Sequence, residues 1–322
     1  MRNTRHGIFG ILLMATLPSV ATAQAYPHKP IRFVVPFGVG GPGDTIGRMI
    51  GRQLTESLGK AVVIDNRSGA TTIIGTELAA KSPPDGHTLL LISTTHAVNP
   101  SLFQKLPYDP IKDFAPVTLI TATPFMLGIH PSVAANSVAE FVAVAHGKSG
   151  SLNYGSSGAG SSIHLTTELL KSAANIQMTH VPYKGSGPAF IDLIGGQIQV
   201  LFSSTVSSMP HVKNGKVRGL AITSLKRAPA LPEIPTIAES YPGFESSSWF
   251  GMLVPAKTPK PVIDRLLADT RAALKSPDVN HALLSQGAEP GGQSSAEFSA
   301  YYQSEIKKWA GVIKSAGIKL DQ

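Results

Sequence analysis

Short apolar runs bounded by Gly, Pro or Ser alternate along the chain with longer stretches in which apolar residues recur at helical spacing. Residues 31–35, 61–64 and 88–92 are rich in Val, Ile and Leu and read as buried strands. Ile46, Met49, Ile50, Leu54 and Leu58 fall on one face of a helix spanning 44–58, which Gly59 stops. The same two periods predict further strands at 117–120, 125–129, 152–154, 179–181, 197–202, 217–223 and 247–254. They predict helices at 72–81, 137–146, 163–174, 189–194, 261–275, 279–286 and 296–315. Ser137/Glu140, Thr236/Glu239 and Ser294/Glu297 have capping-box spacing. Strand, turn and helix alternate almost throughout, which predicts a mostly parallel α/β architecture. The run 117–129 reads as two strands passing from one body into another, and 247–254 as the return. Two lobes follow: residues 24–124 with 244–322, and residues 125–243 inserted between them, joined by two crossovers.

The strand ends carry the candidate chemistry. Residues 38–45 turn from strand to helix through four glycines, leaving backbone N–H groups and the positive end of a helix dipole facing outward. Such a junction suits a phosphate or a carboxylate. Gly- and hydroxyl-rich strand ends recur at 93–95, 156–162, 184–188 and 203–208. At least three of the five open helices, so several helix N-termini are expected to converge on one small anion without help from Arg. Gly38, Gly40 and Gly43 also match G-x-G-x-x-G, with Asp65 ending the next strand, which is the fingerprint of a nicotinamide-dependent oxidoreductase. Against that reading, Pro36 and Phe37 separate the strand from the first glycine and Pro42 interrupts the motif.

The N-terminus changes the balance. Arg2 and Arg5, the apolar run 8–17 and Ala21-Thr-Ala23 form an export signal with cleavage expected after Ala23. An exported, periplasmic protein has little access to free nicotinamide cofactor. The chain has no Cys, hence no disulfide, thiolate metal site or lipid anchor. Net charge is +8, about +6 once Arg2 and Arg5 are gone, and the only dense basic spots are Lys226-Arg227 and Lys307-Lys308. That is a solvated surface and not a nucleic-acid footprint.

Catalytic equipment is sparse. There is no G-x-S-x-G elbow. Ser161 and His164 share one helix start with no acid beside them in sequence, and His164 reads as a helix histidine donating to a nearby carbonyl. His96, His130, His180 and His211 lack metal-ligand spacing. Asp109 and Asp113 read as turn caps. Lys184, in a Gly-rich loop, reads as a solvent-facing or ligand-capping group, not a Schiff base. Neither a cofactor nor a metal is expected.

Several motifs together resemble one family. They are Val34-Val-Pro-Phe-x-x-Gly-Gly-x-x-Asp44, Asn66-Arg-x-Gly69, Pro84-Asp-Gly-x-Thr-Leu-Leu90, Leu106-Pro-Tyr-Asp-Pro110 with Asp113-Phe-Ala-Pro116, Asn153-Tyr-x-Ser-Ser-Gly-x-Gly-Ser161 with His164-Leu165, His180-Val-Pro-Tyr-Lys-Gly185, and Leu231-Pro-x-x-Pro-Thr236 through Pro242-Gly-Phe-Glu245 and Trp249. In order and over the whole mature chain they resemble the Bug family, the extracytoplasmic solute receptors of tripartite tricarboxylate transporters. The resemblance implies a type II periplasmic-binding-protein fold, a monomer that closes on a small carboxylate and passes it to membrane permease subunits or to a sensor protein. It implies ligand contacts from Phe37, Gly40, Gly41 and Asp44 in the first loop. In the second lobe it implies Ser156, Ser157, Ser161, His164, Tyr183, Lys184 and Gly185, and at neighbouring strand ends Ser93, Thr94, Ser203 and Ser204. The chain departs from the family pattern at Gly43, where Thr or Ser is common, at Ser203, where Asp is common, and at Thr71-Thr72, which replace a Gly pair. Loss of the acid at 203 implies a carboxylate without an α-amino group.

Overall fold

A computed structural model describes residues 26–147, 150–228 and 231–318. The expected export signal lies outside the described residues. Strand β1 (Ile31–Val35) leads into α1 (Pro42–Leu58), β2 (Val62–Asn66), α2 (Ile73–Ala80), β3 (Thr88–Ser93) and α3 (Thr94–Leu102). The sixteen-residue β4 (Phe114–Ile129) then crosses to α4 (Val138–Gly147), β5 (Asn153–Ser156), α5 (Ser162–Ala174), β6 (Thr179–Pro182), α6 (Ser186–Ile194), β7 (Val200–Ser204), α7 (Thr205–Lys213) and β8 (Arg218–Ile222). The chain returns along β9 (Ser247–Pro255) and ends with α8 (Lys260–Lys275), α9 (Pro277–Ser285), the two-residue β10 (Glu289–Pro290) and α10 (Ser295–Ala316).

The strands form one path, β2-β1-β3-β9-β4-β7-β5-β6, with β8 and β10 pairing onto β4. β1 is parallel to β2 and β3, and β5 is parallel to β6 and β7; β9 and β4 run antiparallel to their neighbours. The two strands expected at 117–120 and 125–129 are one. Its first part pairs with β9 as far as Pro124↔Ser247, and from Phe125 onward it pairs with β7. Pro124 has no N–H to contribute to a ladder and sits where the partner changes. Beside it, the N–H of Phe125 donates to Thr223 Oγ1 at 2.8 Å.

The apolar runs are continuous because both faces of the first half-sheet are covered. Leu89, Leu91, Met252 and Val254 belong to the core shared with α1, α8 and α9, whereas Leu90, Ile92, Trp249 and Leu253 belong to the core shared with α3 and α10. Successive residues thus serve opposite faces, as strand geometry requires. The other lobe has its own core around Phe141, Tyr154, Leu193 and Phe202. α1 buries Ile46, Ile50, Leu54 and Leu58; Pro42 occupies its first turn and Gly59 its left-handed C-terminus, φ 65°. The helix expected at 72–81 begins with a 3₁₀ turn, Ala70–Thr72, in which all three residues have positive φ. Two short helices, α3 and α7, are additional to those expected. Each begins in hydroxyl residues and contains a proline (Pro100, Pro210), which hides the helical period. The boxes at Thr236/Glu239 and Ser294/Glu297 form in full; at Ser137/Glu140 the Ser137 hydroxyl accepts from the Glu140 N–H, while the Glu140 carboxylate accepts from the Asn136 N–H instead of closing on Ser137.

α10 holds β9 in place. Gly251 lets Phe298 approach, since a Cβ there would lie 2.2 Å from the ring. Below it Glu305, 1% exposed, accepts from the indole N–H groups of Trp249 at 2.8 Å and Trp309 at 2.9 Å, and Lys308 completes its ion pair. Trp249 is on β9 beside the crossover, so this carboxylate couples the C-terminal helix to the strand that joins the lobes. Glu305→Ala leaves two buried indole donors without an acceptor and Lys308 without its carboxylate, with only the Glu245 carbonyl and the Trp309 ring beside it. It is expected to cost about 3–5 kcal/mol in urea unfolding, read from the midpoint at unchanged slope. A loss below about 1 kcal/mol would show that α10 is held by apolar packing alone.

Candidate functional site

All five Gly- and hydroxyl-rich strand ends open helices, more than the three expected. Ser93, Ser161 and Ser204 are the N-caps of α3, α5 and α7, and their hydroxyls accept from the N–H groups of Thr95, His164 and Ser207. α1 and α6 start on Gly41 and Gly185 without a side-chain cap. Each cap satisfies one N–H and leaves others of the first turn pointing outward.

Between the lobes lie two cavities, about 290 and about 920 Å³, that meet at Ser248 and Phe250 of β9. The smaller sits between the starts of α3 and α5. Its wall includes Ser93, Thr94, Thr95, Ser157, Ser161 and Ser162, and no charged side chain is among its described lining residues. The larger is lined by Pro42 and Ile46 of α1, by α6, by Ser203, Ser204 and Ser207, and by the end of α9. Of the predicted contacts, Ser93, Thr94, Ser157 and Ser161 therefore come together at one cavity, and Ser203 and Ser204 at the other.

The rest of the predicted contacts do not line either cavity; several of them build the surroundings. Asp44 is buried and holds the first loop together. It accepts from the Gly40 N–H at 2.9 Å, from Arg48 and from Asn66 Nδ2 at 3.0 Å, while the same Asn66 amide reaches the Phe37 carbonyl. The Arg48 hydrogen bond, with Gly40 and Asn66, holds the Asp44 carboxyl down to about 2. Gly41 is the cap residue of α1. Phe37 packs edge-on against Phe250, ring centroids 5.7 Å apart, and fills the space that a side chain at 43 would need: a Cβ on Gly43 would lie 2.4 Å from its ring. Gly43 thus replaces a hydroxyl by room for an aromatic ring. Tyr183 donates to Asp192 at 2.7 Å, Lys184 is exposed and Gly185 precedes α6.

Ser156 and His164 support the 157–162 loop from beneath. The Ser156 hydroxyl meets both the carbonyl and the N–H of Gly158 at 3.1 Å and contacts His180 Nε2 at 2.7 Å. His164 Nδ1 accepts from the Gly160 N–H at 3.0 Å, so its role is that of an acceptor and not the carbonyl donor expected. Its ring stacks on His180 at 3.9 Å, and the Tyr154 ring stacks beside both, 4.9 Å from His180 and 6.1 Å from His164. Ser161 touches the His164 main chain and not its ring, so the two are no nucleophile and base. Burial, then the neighbouring His180, pushes His164 down to about 4. Burial also lowers His180, and pushes His96, enclosed by Tyr108, Phe114 and Tyr302, down to about 3.

Sequence reasoning missed Thr71, Asn99, Ser248 and Phe250. The last two had a signal, because alternation along β9 puts them on the face opposite Trp249. Thr71 and Thr72 stand at φ 52° and 74°, a conformation that costs a β-branched residue about 1–3 kcal/mol. Asn99 Nδ2 donates to the Thr71 carbonyl at 2.8 Å and both residues line the smaller cavity. The departure from a Gly pair thus brings a strained hydroxyl residue to the cavity wall. Asp65, the candidate ribose acid, is engaged by Arg32 at 2.6 Å and Arg67 at 2.9 Å. The basic spots are likewise paired, Arg227 with Glu239 and Lys308 with Glu305. Asp109 and Asp113 cap their turn as expected.

Two α/β lobes joined by two crossovers, with helix starts facing a shared cleft, define a periplasmic-binding-protein fold. Residues 46–318 match the model of the tripartite tricarboxylate transporter family receptor, and the chain belongs to that family. It is 36% identical over 317 residues to BugT of Bordetella pertussis, covering 98% of this chain and 97% of that one. Among solved structures it is similar to an R. palustris protein determined with adipate, at 38% identity and TM-score 0.73, covering 92% of this chain and all of that one. It is also similar to MatC from Rhodopseudomonas palustris with bound malate, at 33% identity and TM-score 0.69, covering 89% and 100%. The family is one of solute-binding receptors and not of enzymes, which removes the oxidoreductase reading.

The depressed histidines give stability a pH dependence. Each has a folded pKa below its ordinary 6.5, so as pH falls the unfolded chain takes up the proton first. Their contribution is complete above about 6.5 and is lost toward 4. Each imidazole contributes a slope of at most about 1.4 kcal/mol per pH unit. Urea midpoints taken from pH 7 to pH 4 are expected to fall, and His164→Gln to flatten the decline between pH 6 and 4. An unchanged decline in that variant would refute the role given to His164.

Proposed function

We propose that the chain captures a small carboxylate between its lobes, 24–124 with 244–322 on one side and 125–243 on the other, and closes over it. It then delivers the ligand to the membrane permease subunits of a tripartite tricarboxylate transporter. The observation that carries this reading is the smaller cavity, where the starts of α3 and α5 meet among serines and threonines with no charged side chain on the described wall. Free first-turn N–H groups and hydroxyls are donors, and two dipole ends favour negative charge. Shielding from water on closure would strengthen each of these hydrogen bonds. The adipate and malate of the two similar structures are both carboxylates, which supports the same choice. Ser157 and Ser161 on one lobe and Ser93 and Thr94 on the other are the proposed contacts; Ser156, His164, Asp44 and Phe37 position them.

An α-amino group has no evident counter-charge. Ser203, where the family commonly has Asp, is buried and its hydroxyl is engaged by Ser208 at 2.5 Å. The ligand is therefore proposed to be an acid that is not an amino acid. The protein is proposed to work in the periplasm after removal of residues 1–23. Among the described residues no helix is long and apolar enough to cross a membrane.

A thermal-shift and calorimetry panel tests this. A bound carboxylate at a hundredfold excess over its dissociation constant is expected to stabilise the protein by about 2.7 kcal/mol. Absence of any shift across mono-, di- and tricarboxylates would overturn the carboxylate assignment. Tight binding of aspartate or glutamate would leave that assignment standing and refute the exclusion of amino acids.

A further inference from the structure

The cleft is chemically lopsided. Its hydroxyl-lined cavity is small, whereas the larger one beyond Ser248 and Phe250 is walled mainly by Ile46, Phe125, Ile163, Phe190, Ile191 and Leu283. Among the described residues lining the larger cavity there is no Lys, Arg, Asp or Glu. The single titratable side chain is His211, whose ring lies 5.0 Å from that of Phe190. Besides α5, whose start faces the hydroxyl cavity and whose Ile163 reaches this one, three helices start here, and each of those starts is compromised as an anion site. α1 begins with Pro42, which lacks an N–H, and carries the ionised Asp44 in the same turn. α6 has Pro188 in its first turn, and at α7 the Ser204 hydroxyl already accepts from the Ser207 N–H and donates to the Ser207 hydroxyl. A second carboxylate placed here would shed its hydration without meeting a cation, which is costly. A hydrocarbon placed here gains from every methylene removed from water. Space does not limit it, since a cavity of about 150 Å³ already holds benzene. Gly43 contributes to the same bias. By leaving room for the Phe37 ring it sets an aromatic edge behind Phe250, where a hydroxyl would otherwise stand.

We propose that the preferred ligand has a single carboxylate and an apolar body of ring size or larger, with the carboxylate between α3 and α5 and the body in the larger cavity. This rests on the carboxylate reading above and adds the identity of the other end. The hydroxyl cavity fixes the acid group, and Phe250 separates it from the apolar compartment.

Calorimetry on the purified protein with acetate, butanoate, hexanoate and phenylacetate, set against succinate and adipate, decides the matter. Affinity is expected to rise about fourfold per added methylene in the monocarboxylate series. Hexanoate and phenylacetate are expected to bind at least tenfold tighter than adipate. Adipate matching or exceeding them would overturn the proposal while leaving the carboxylate assignment intact; no binding by any acid would instead refute that assignment. Ile191→Lys adds a cation to the larger cavity at a position 70% exposed, where the fold tolerates it. It is expected to reverse the ranking in favour of adipate. An unchanged ranking in this variant would show that the ligand body does not enter the larger cavity.

Discussion

The pairing of β4 with β9 is what the molecule depends on. These two antiparallel strands are the only elements among the described residues that belong to the first half-sheet and also lead into or out of the second lobe. Their outer face is locked by α10 through Trp249, Phe298 and Glu305. Their inner face presents Thr123, Phe125, Ser248 and Phe250 to the cleft. The hydroxyl of Thr94, at the start of α3, accepts from the Trp249 N–H and donates to the Ser247 carbonyl, so the binding surface and the crossover share one set of hydrogen bonds.

The smaller cavity, the proposed acid-binding end, has no charged side chain among its described lining residues. Neutral donors on helix starts carry little desolvation penalty when the cleft is open, whereas a buried Arg would need a permanent partner. What such a site requires is shape. That shape is supplied by groups that sequence resemblance assigned to the ligand itself: Asp44 threads the first loop, and Ser156 and His164 hold the 157–162 loop.

Much of this was legible in the residues. Apolar runs and helical spacing located the long elements, and the N-terminal alternation from strand to glycine to helix marked the anion-facing ends. The boundaries failed where local chemistry masked the period. Pro124 made one strand look like two because its role, ending one ladder and beginning another, depends on partners far away in sequence. α3 and α7 were hidden by their serines, threonines and internal prolines. The inner contacts were less readable still. Whether a serine on such a loop faces the ligand or the protein interior depends on where His180 and Gly158 lie, and no spacing encodes that. Gly43 read as a lost hydroxyl until the position of the Phe37 ring was known.

Pro124 has one more consequence. Because its nitrogen carries no hydrogen, the ladder has a natural discontinuity there, with β9 on one side and β7 on the other. A turn of the lobes about this point, as the proposed closure requires, would tear no main-chain hydrogen bond donated by that residue. The crossover thus falls where β4 has no main-chain donor of its own to bind it to either lobe.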